Sequence, residues 1–198
     1  STSNTMHEIQ DLLDRIAEGD SIVKLELVER ACERFRKTAR NMLNVSYPNM
    51  DQDGVQSVQI ATAAFASMQG FMDLEPSKCG TAKEFLFQAS RVIRETLIDL
   101  AKQLCAWDGK TPTKALRGIQ LPERADPIKW QRAIGILQSV DRLSTEQQQV
   151  VDLLFFQGCT PTDAAAILGV DEATVIRRWT EARVHLAEAT PDGSESRM

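Results

Sequence analysis

Between Leu143 and Leu186 the chain carries helix-start and helix-stop residues so closely spaced that few folds can accommodate them. Ser144 is a good N-cap, and Gln147 three residues on completes a capping-box pattern. Val150, Val151, Leu153, Leu154 and Phe155 follow, and Gly158 ends that helix. Thr160 then caps a short helix over 161–168, with Pro161 at the first helical position, where its missing N–H costs nothing. Gly169 supplies a tight turn, and Asp171 caps a further helix from Glu172 to about Glu188. Two helices joined by a three- or four-residue turn containing Gly make a helix-turn-helix. The finer spacing agrees: Ala165 is small where the helices approach, and Val170 and Val175 are apolar where they plug the core.

In such a motif the second helix lies in the major groove with its N-terminal residues aimed at base edges. That places Glu172, Ala173, Ile176, Arg177 and Arg178 toward DNA, with Arg183 near phosphates. Arg can form a bidentate pair with guanine and Glu can accept from cytosine. The hydroxyls of Thr160, Thr162 and Thr174 are candidates for phosphate contact. The plainer reading is a packed helical hairpin with a solvated charged face; it explains any one of these features but not their coincidence at these offsets. The second helix is not strongly basic, because Asp171, Glu172 and Glu181 offset Arg177, Arg178 and Arg183. Counterion release scales with phosphate contacts, so this unit is expected to bind DNA weakly alone and to need a partner.

The rest of the chain reads as helix, giving an all-α fold of two helical domains and a flexible linker. Ile9, Leu12, Leu13 and Ile16 recur at helical spacing over 7–19, with Gly19 as the stop. A second helix is expected from Ser21 to about Val45, and a third from about Val55 to Met68, closed by Gly70. Residues 75–80 read as loop. The fourth helix, about 82–106, is long and well patterned through Phe85, Leu86, Ala89, Val92, Ile93 and Leu97. Residues 108–127 hold Pro112, Pro122 and Pro127 with Gly109 and Gly118 and little periodicity, which marks a linker. The expected divisions are therefore 7–107, a linker over 108–127, a second domain over 128–190, and a frayed tail over 191–198.

Other functional classes find little support. Cys32, Cys79, Cys105 and Cys159 form no CxxC pair, and only His7 and His185 could add imidazole, so no metal site is expected. Reduced thiols in a cytoplasmic protein are the expectation. The longest apolar runs, such as 153–156, are too short to span a bilayer, and residues 1–8 do not resemble a signal peptide. There is no Gly-rich phosphate loop and no nucleophile–base order, so neither an enzyme nor a bound cofactor is expected. His185 and the carboxylate pairs Asp11/Asp14 and Glu26/Glu29 read as solvated positions on patterned helices.

The segment from Leu143 through Ser144-Thr145-Glu146-Gln147 and Phe155-Phe156-Gln157-Gly158, then Thr160, Ala165, Leu168-Gly169-Val170, Thr174-Val175, Trp179, Ala182-Arg183 and Leu186, resembles region 4 of bacterial RNA polymerase sigma factors. The likeness is to the extracytoplasmic-function (ECF) group. Phe85-Leu86, Ala89-Ser90-Arg91, Leu97-Ile98-Asp99 and Ala101-Lys102 are similar to that group's long region 2 helix, and Leu12-Leu13 with Ala17-Glu18-Gly19-Asp20 to its first helix. The resemblance implies a factor that binds core RNA polymerase through region 2 and the linker. It further implies that region 4 reads the −35 element of promoter DNA and that region 2 opens and reads the −10 element. By position, the loop from about Gly70 to Lys83 would receive a flipped base, and Arg91, Arg94 and Lys102 would track the backbone. Phe71, Phe85 and Phe87 are candidates for stacking on unpaired bases, although Phe85 also falls on the apolar stripe. An anti-sigma factor is a further candidate partner, and no membrane insertion is expected.

Two stretches depart from the family pattern. The third helix, which usually carries polymerase-gripping acidic and amide residues, reads Gln59-Ile60-Ala61-Thr62-Ala63-Ala64-Phe65, leaving Gln59, Thr62 and Phe65 as candidate contacts. The basic run after the fourth helix is thinned to Lys102-Gln103-Leu104-Cys105-Ala106-Trp107. A stand-alone helix-turn-helix regulator and a sigma-like interaction module are the alternative readings. Charge is unevenly spread: residues 1–107 net −3, 108–143 net +3 and 144–198 net −5. The positive charge gathers at the joint, where this family threads its linker through polymerase.

Overall fold

The computed structural model describes residues 2–20, 22–31, 33, 36, 66–70, 72–73, 80–106 and 127–188, and all regular structure among them is helical. The expected all-α class is what the chain adopts. The first helix, α1 (Thr2–Ala17), begins five residues before the expected start at 7. Gly19, at φ +98°, closes it, with Asp20 N–H donating to Arg15 O (3.0 Å). α2 (22–31) buries Val23, Leu27, Val28 and Ala31, and Arg30 bridges Glu26 and Glu8 at 2.8 Å each, tying it to α1. α3 (66–70) contributes Met68 to the core; Gly70, expected to close a helix, is itself a helical residue, and 72–73 are helical as well.

The long helix α4 (Ala82–Cys105) organises the molecule. Thr81 Oγ1 accepts from Glu84 N–H (3.2 Å) while Glu84 Oε2 accepts from Thr81 N–H (3.0 Å), a reciprocal cap. Gln10 of α1 adds to this start, accepting from Ala82 N–H (2.9 Å) and donating to Gly80 O (3.3 Å). α4 buries Phe85, Leu86, Ala89, Val92 and Ile93.

α5 (Pro127–Ser139) runs into a single 3-10 turn (Val140–Arg142). α6 (Thr145–Val151) follows and continues as a π turn, Asp152–Phe156, in which Gln157 N–H reaches back to Asp152 O (3.0 Å). The last two helices are α7 (Pro161–Leu168) and α8 (Glu172–Glu188). α4 packs against both α5 and the π turn, and α1 touches α7. One apolar cluster therefore runs from Ile9 through Phe85 and Ile93 to Leu153, Phe156, Val175 and Ala182. The two helical groups share this core. Of the linker expected over 108–127, residues 108–126 lie outside the described residues and Pro127 opens α5; the tail over 191–198 also lies outside them.

Candidate nucleic-acid interface

The α6–α8 array is built as its cap residues dictate. Ser144 Oγ accepts from Gln147 N–H and Gln147 Oε1 accepts from Ser144 N–H, both at 3.3 Å, completing the capping box. Thr160 Oγ1 accepts from Asp163 N–H (3.1 Å), with Pro161 opening α7. Gly169 adopts φ +69°, and its N–H and that of Val170 both donate to Ala165 O (2.9 and 3.1 Å). An L side chain is disfavoured in this left-handed conformation, so Gly is the residue that lets α7 end and α8 begin within three residues. Asp171 Oδ1 then accepts from Thr174 N–H (2.6 Å), and this bond holds the Asp171 carboxyl below the usual carboxylate range. Ala164, Ala165, Val175 and Ala182 are buried, which brings α7 and α8 together on small side chains.

This leaves the outer face of α8 in solvent. Glu172, Ala173, Arg177 and Arg183 are exposed, Thr174 and Arg178 are half-buried, and Ile176 keeps 48% of its surface. Thr160 and Thr162 are exposed on α7. Thr162 Oγ1 donates to Glu172 Oε2 (2.8 Å), linking the start of α7 to that of α8. Arg177 pairs with Glu181 along the helix at 3.1 Å. An exposed i,i+4 pair is worth only a few tenths of a kcal/mol, so a phosphate or guanine can displace Glu181 cheaply. Of the nine side chains expected at a −35 contact, seven are exposed on the α7–α8 pair and two, Thr174 and Arg178, are half-buried.

The region 2 candidates are divided. Arg91 is exposed and paired with Glu95 (3.0 Å), and Lys102 is exposed. Arg94, expected to follow a DNA backbone, instead turns inward and is 6% exposed. Its guanidinium donates to Asp141 (2.8 Å) and reaches Asp152 (3.5 Å), both in the second half of the chain. The physical reason is position: Arg94 lies one turn after Ser90 and two after Leu86 on the row that faces the π turn, where a cation must find an anion or stay solvated. Lys83 is half-buried and lines a groove of about 470 Å³ with Met6, Gln10, Ala166 and Ile167. Phe85, a stacking candidate, is core at 1% exposure, and Phe87 is half-buried. Phe71, Gln59, Thr62 and Phe65 lie outside the described residues.

The inward-facing polar cluster was not anticipated from sequence. Around Arg94, Ser90 Oγ shares its proton between Leu86 O (2.9 Å) and Asp152 O (3.3 Å). Ser90 Oγ also accepts from Gln157 Nε2 (3.0 Å), which reaches Leu86 O as well (3.4 Å). Burial pushes the Asp152 carboxyl up to about 7, against the pull of Arg94 and with a further push from Asp141. The signal was available: Ser90 and Arg94 interrupt an apolar row, and Asp152 stands between Val151 and Leu153.

No group of three or more His, Cys, Asp and Glu side chains among the described residues is arranged to hold a metal ion. No helix among them is long and apolar enough to cross a membrane. Cys105 and Cys159 are not in disulfides, and burial raises the Cys105 thiol; Cys32 and Cys79 lie outside the described residues. Residues 118–192 match the family model of ECF sigma factors, which takes in all of α5 to α8. No curated protein matches the chain. The match agrees with the likeness read from Leu143 to Leu186 and supports a sigma-factor role, in a family of non-enzymatic factors for transcription initiation and its regulation.

Proposed function

We propose, on the premise that 118–192 carry an ECF sigma factor domain, that this protein binds core RNA polymerase and directs it to promoters. In this reading α7 and α8 read the −35 element. Thr160, Thr162, Glu172, Ala173, Thr174, Ile176, Arg177, Arg178 and Arg183 supply the contacts. The observation that carries it is the open face of α8, held by a capped, Gly-turned α7–α8 pair whose inner face is wholly apolar. Arg91 and Lys102, exposed on α4, serve the −10 element together with Lys83, Arg94 and Phe71, and Gln59, Thr62 and Phe65 contact polymerase. An anti-sigma factor would act by occluding these faces.

The test is reconstitution. The protein, cognate core polymerase and a promoter library are combined, and transcript starts are mapped. Specific initiation dependent on the protein is the expected result. Retardation of a palindromic duplex by the protein alone, with no effect on polymerase, would establish a stand-alone regulator instead. Failure both to co-purify with core and to bind DNA would leave an interaction module.

A further inference from the structure

We infer that the contact of α4 with the 3-10 turn and π turn is a latch that holds the chain in a closed form unable to engage the −10 element. This rests on the sigma-factor reading above. Of the cations assigned to that element, one is enclosed at the seam and a second is half-buried in a groove between the same two groups of helices. Arg94 is buried between Asp141 and Asp152, and Lys83 lines the groove that α1 and the start of α4 form with Ala166 and Ile167 of α7. One guanidinium cannot serve two carboxylates and a DNA phosphate at once. Closure and region 2 binding therefore compete for the same side chain, while the α8 face stays open throughout.

The chemistry of the seam suits a contact that opens. Its centre is polar: Ser90, Arg94, Asp152 and Gln157 are all buried, and Gln157 Oε1 has no hydrogen-bond partner. A buried ion pair adds little net stability over an apolar contact, because desolvation offsets the Coulomb attraction. On opening, each of these groups regains water and Gln157 Oε1 gains a donor. A ligand that takes Arg94 in the open form draws the equilibrium toward it, and apparent affinity is reduced by the fraction of open molecules. Core polymerase carrying promoter DNA is that ligand.

The full-length protein and three variants decide the matter: Ser90→Glu and Asp152→Lys, which place bulk or like charge in the seam, and Asp141→Asn, which weakens the exposed partner of Arg94. Solution scattering reports compactness, and anisotropy of a labelled promoter fragment, chosen with wild-type holoenzyme, reports binding with core. The wild type is expected near the roughly 16–17 Å radius of a compact chain of this length. Ser90→Glu and Asp152→Lys are expected to expand by several ångströms and to bind the core–promoter pair about tenfold more tightly. Asp141→Asn should move in the same direction by less. Variants that stay compact, or that open with no gain in binding, overturn the latch. If circular dichroism shows either seam variant unfolded, Asp141→Asn decides alone, and no gain there also overturns it. If neither wild type nor variants bind core, the sigma reading fails and its regulation with it, whereas the scattering still shows whether the seam opens.

Discussion

Asp152 shows most directly how position sets the behaviour of a single group here. Its folded-state carboxyl titrates near 7, and an unfolded aspartate near 4. Between those values the folded chain holds a proton that the unfolded chain has released, so unfolding becomes easier as pH rises through this window. Stability is fully present at the acid end, falls from about pH 4 to about pH 7, and levels off above, at no more than about 1.4 kcal/mol per pH unit. Asp152→Asn is expected to flatten that dependence and to be more stable than wild type at pH 8. Urea midpoints measured from pH 5 to pH 8 check this; a slope that survives the substitution assigns it to another group. Arg94 shows what sequence could not supply. Its charge and its neighbour Arg91 suggested solvent and DNA, whereas its place on the row of Leu86 and Ser90 pointed inward. Which of the two prevails depends on a carboxylate 58 residues away, and periodicity holds no information about that.

Elements in the second half were legible because their signals are local. Ser144, Thr160, Gly169 and Asp171 each act within three or four residues, and each is found capping or turning as its chemistry requires. Ser144→Ala is expected to lose about 1 kcal/mol with the box. Gly169→Ala meets no atom within 4 Å of its new Cβ, so its cost is the left-handed backbone alone, about 1 kcal/mol. Denaturant titration of both variants checks these values, and a much larger loss at Gly169 would mean a steric role. The π turn and the exact start of α1 were not legible, since one inserted residue leaves the apolar pattern readable either way. At the same scale, Arg177→Ala and Arg178→Ala are expected to abolish −35 discrimination while core binding survives. Competition between promoter variants, alongside core pull-down, separates the two effects.

At the level of the whole molecule, the net −5 charge looks unpromising for a DNA reader. It is resolved by where the charge lies: residues 144–198 are acidic overall, and the α8 face offers only Arg177, Arg178 and Arg183. Free protein should therefore bind a −35 duplex weakly, with a shallow salt dependence of about three counterions, whereas holoenzyme should be far tighter and steeper. A salt titration of both species measures this, and a steep slope for the free protein would expose a basic surface elsewhere. All-helical architecture and the two groups of helices were legible in the apolar patterning. Their shared core was not, because the apolar residues of α4 and of the π turn, Phe85 and Ile93 in one and Leu153 and Phe156 in the other, look from sequence like the inner faces of two separate domains.

The π turn at Asp152–Phe156 gives this closure an unusual dependence on chain length. A regular helix advances about 100° per residue, and a π turn accommodates one residue more than an α turn before the backbone bond closes. Everything after it is turned by that step relative to an uninterrupted α6. Gln157 is brought round to Ser90, and the carbonyl of Asp152 stays available to both Gln157 N–H and the serine hydroxyl. In a chain one residue shorter between 152 and 156, Ser90, Arg94, Asp152 and Gln157 would all be kept and the two halves would still present mismatched faces. The docking of the halves is thus encoded as a phase, carried by a residue count in one helix, as well as by the identity of the groups that touch.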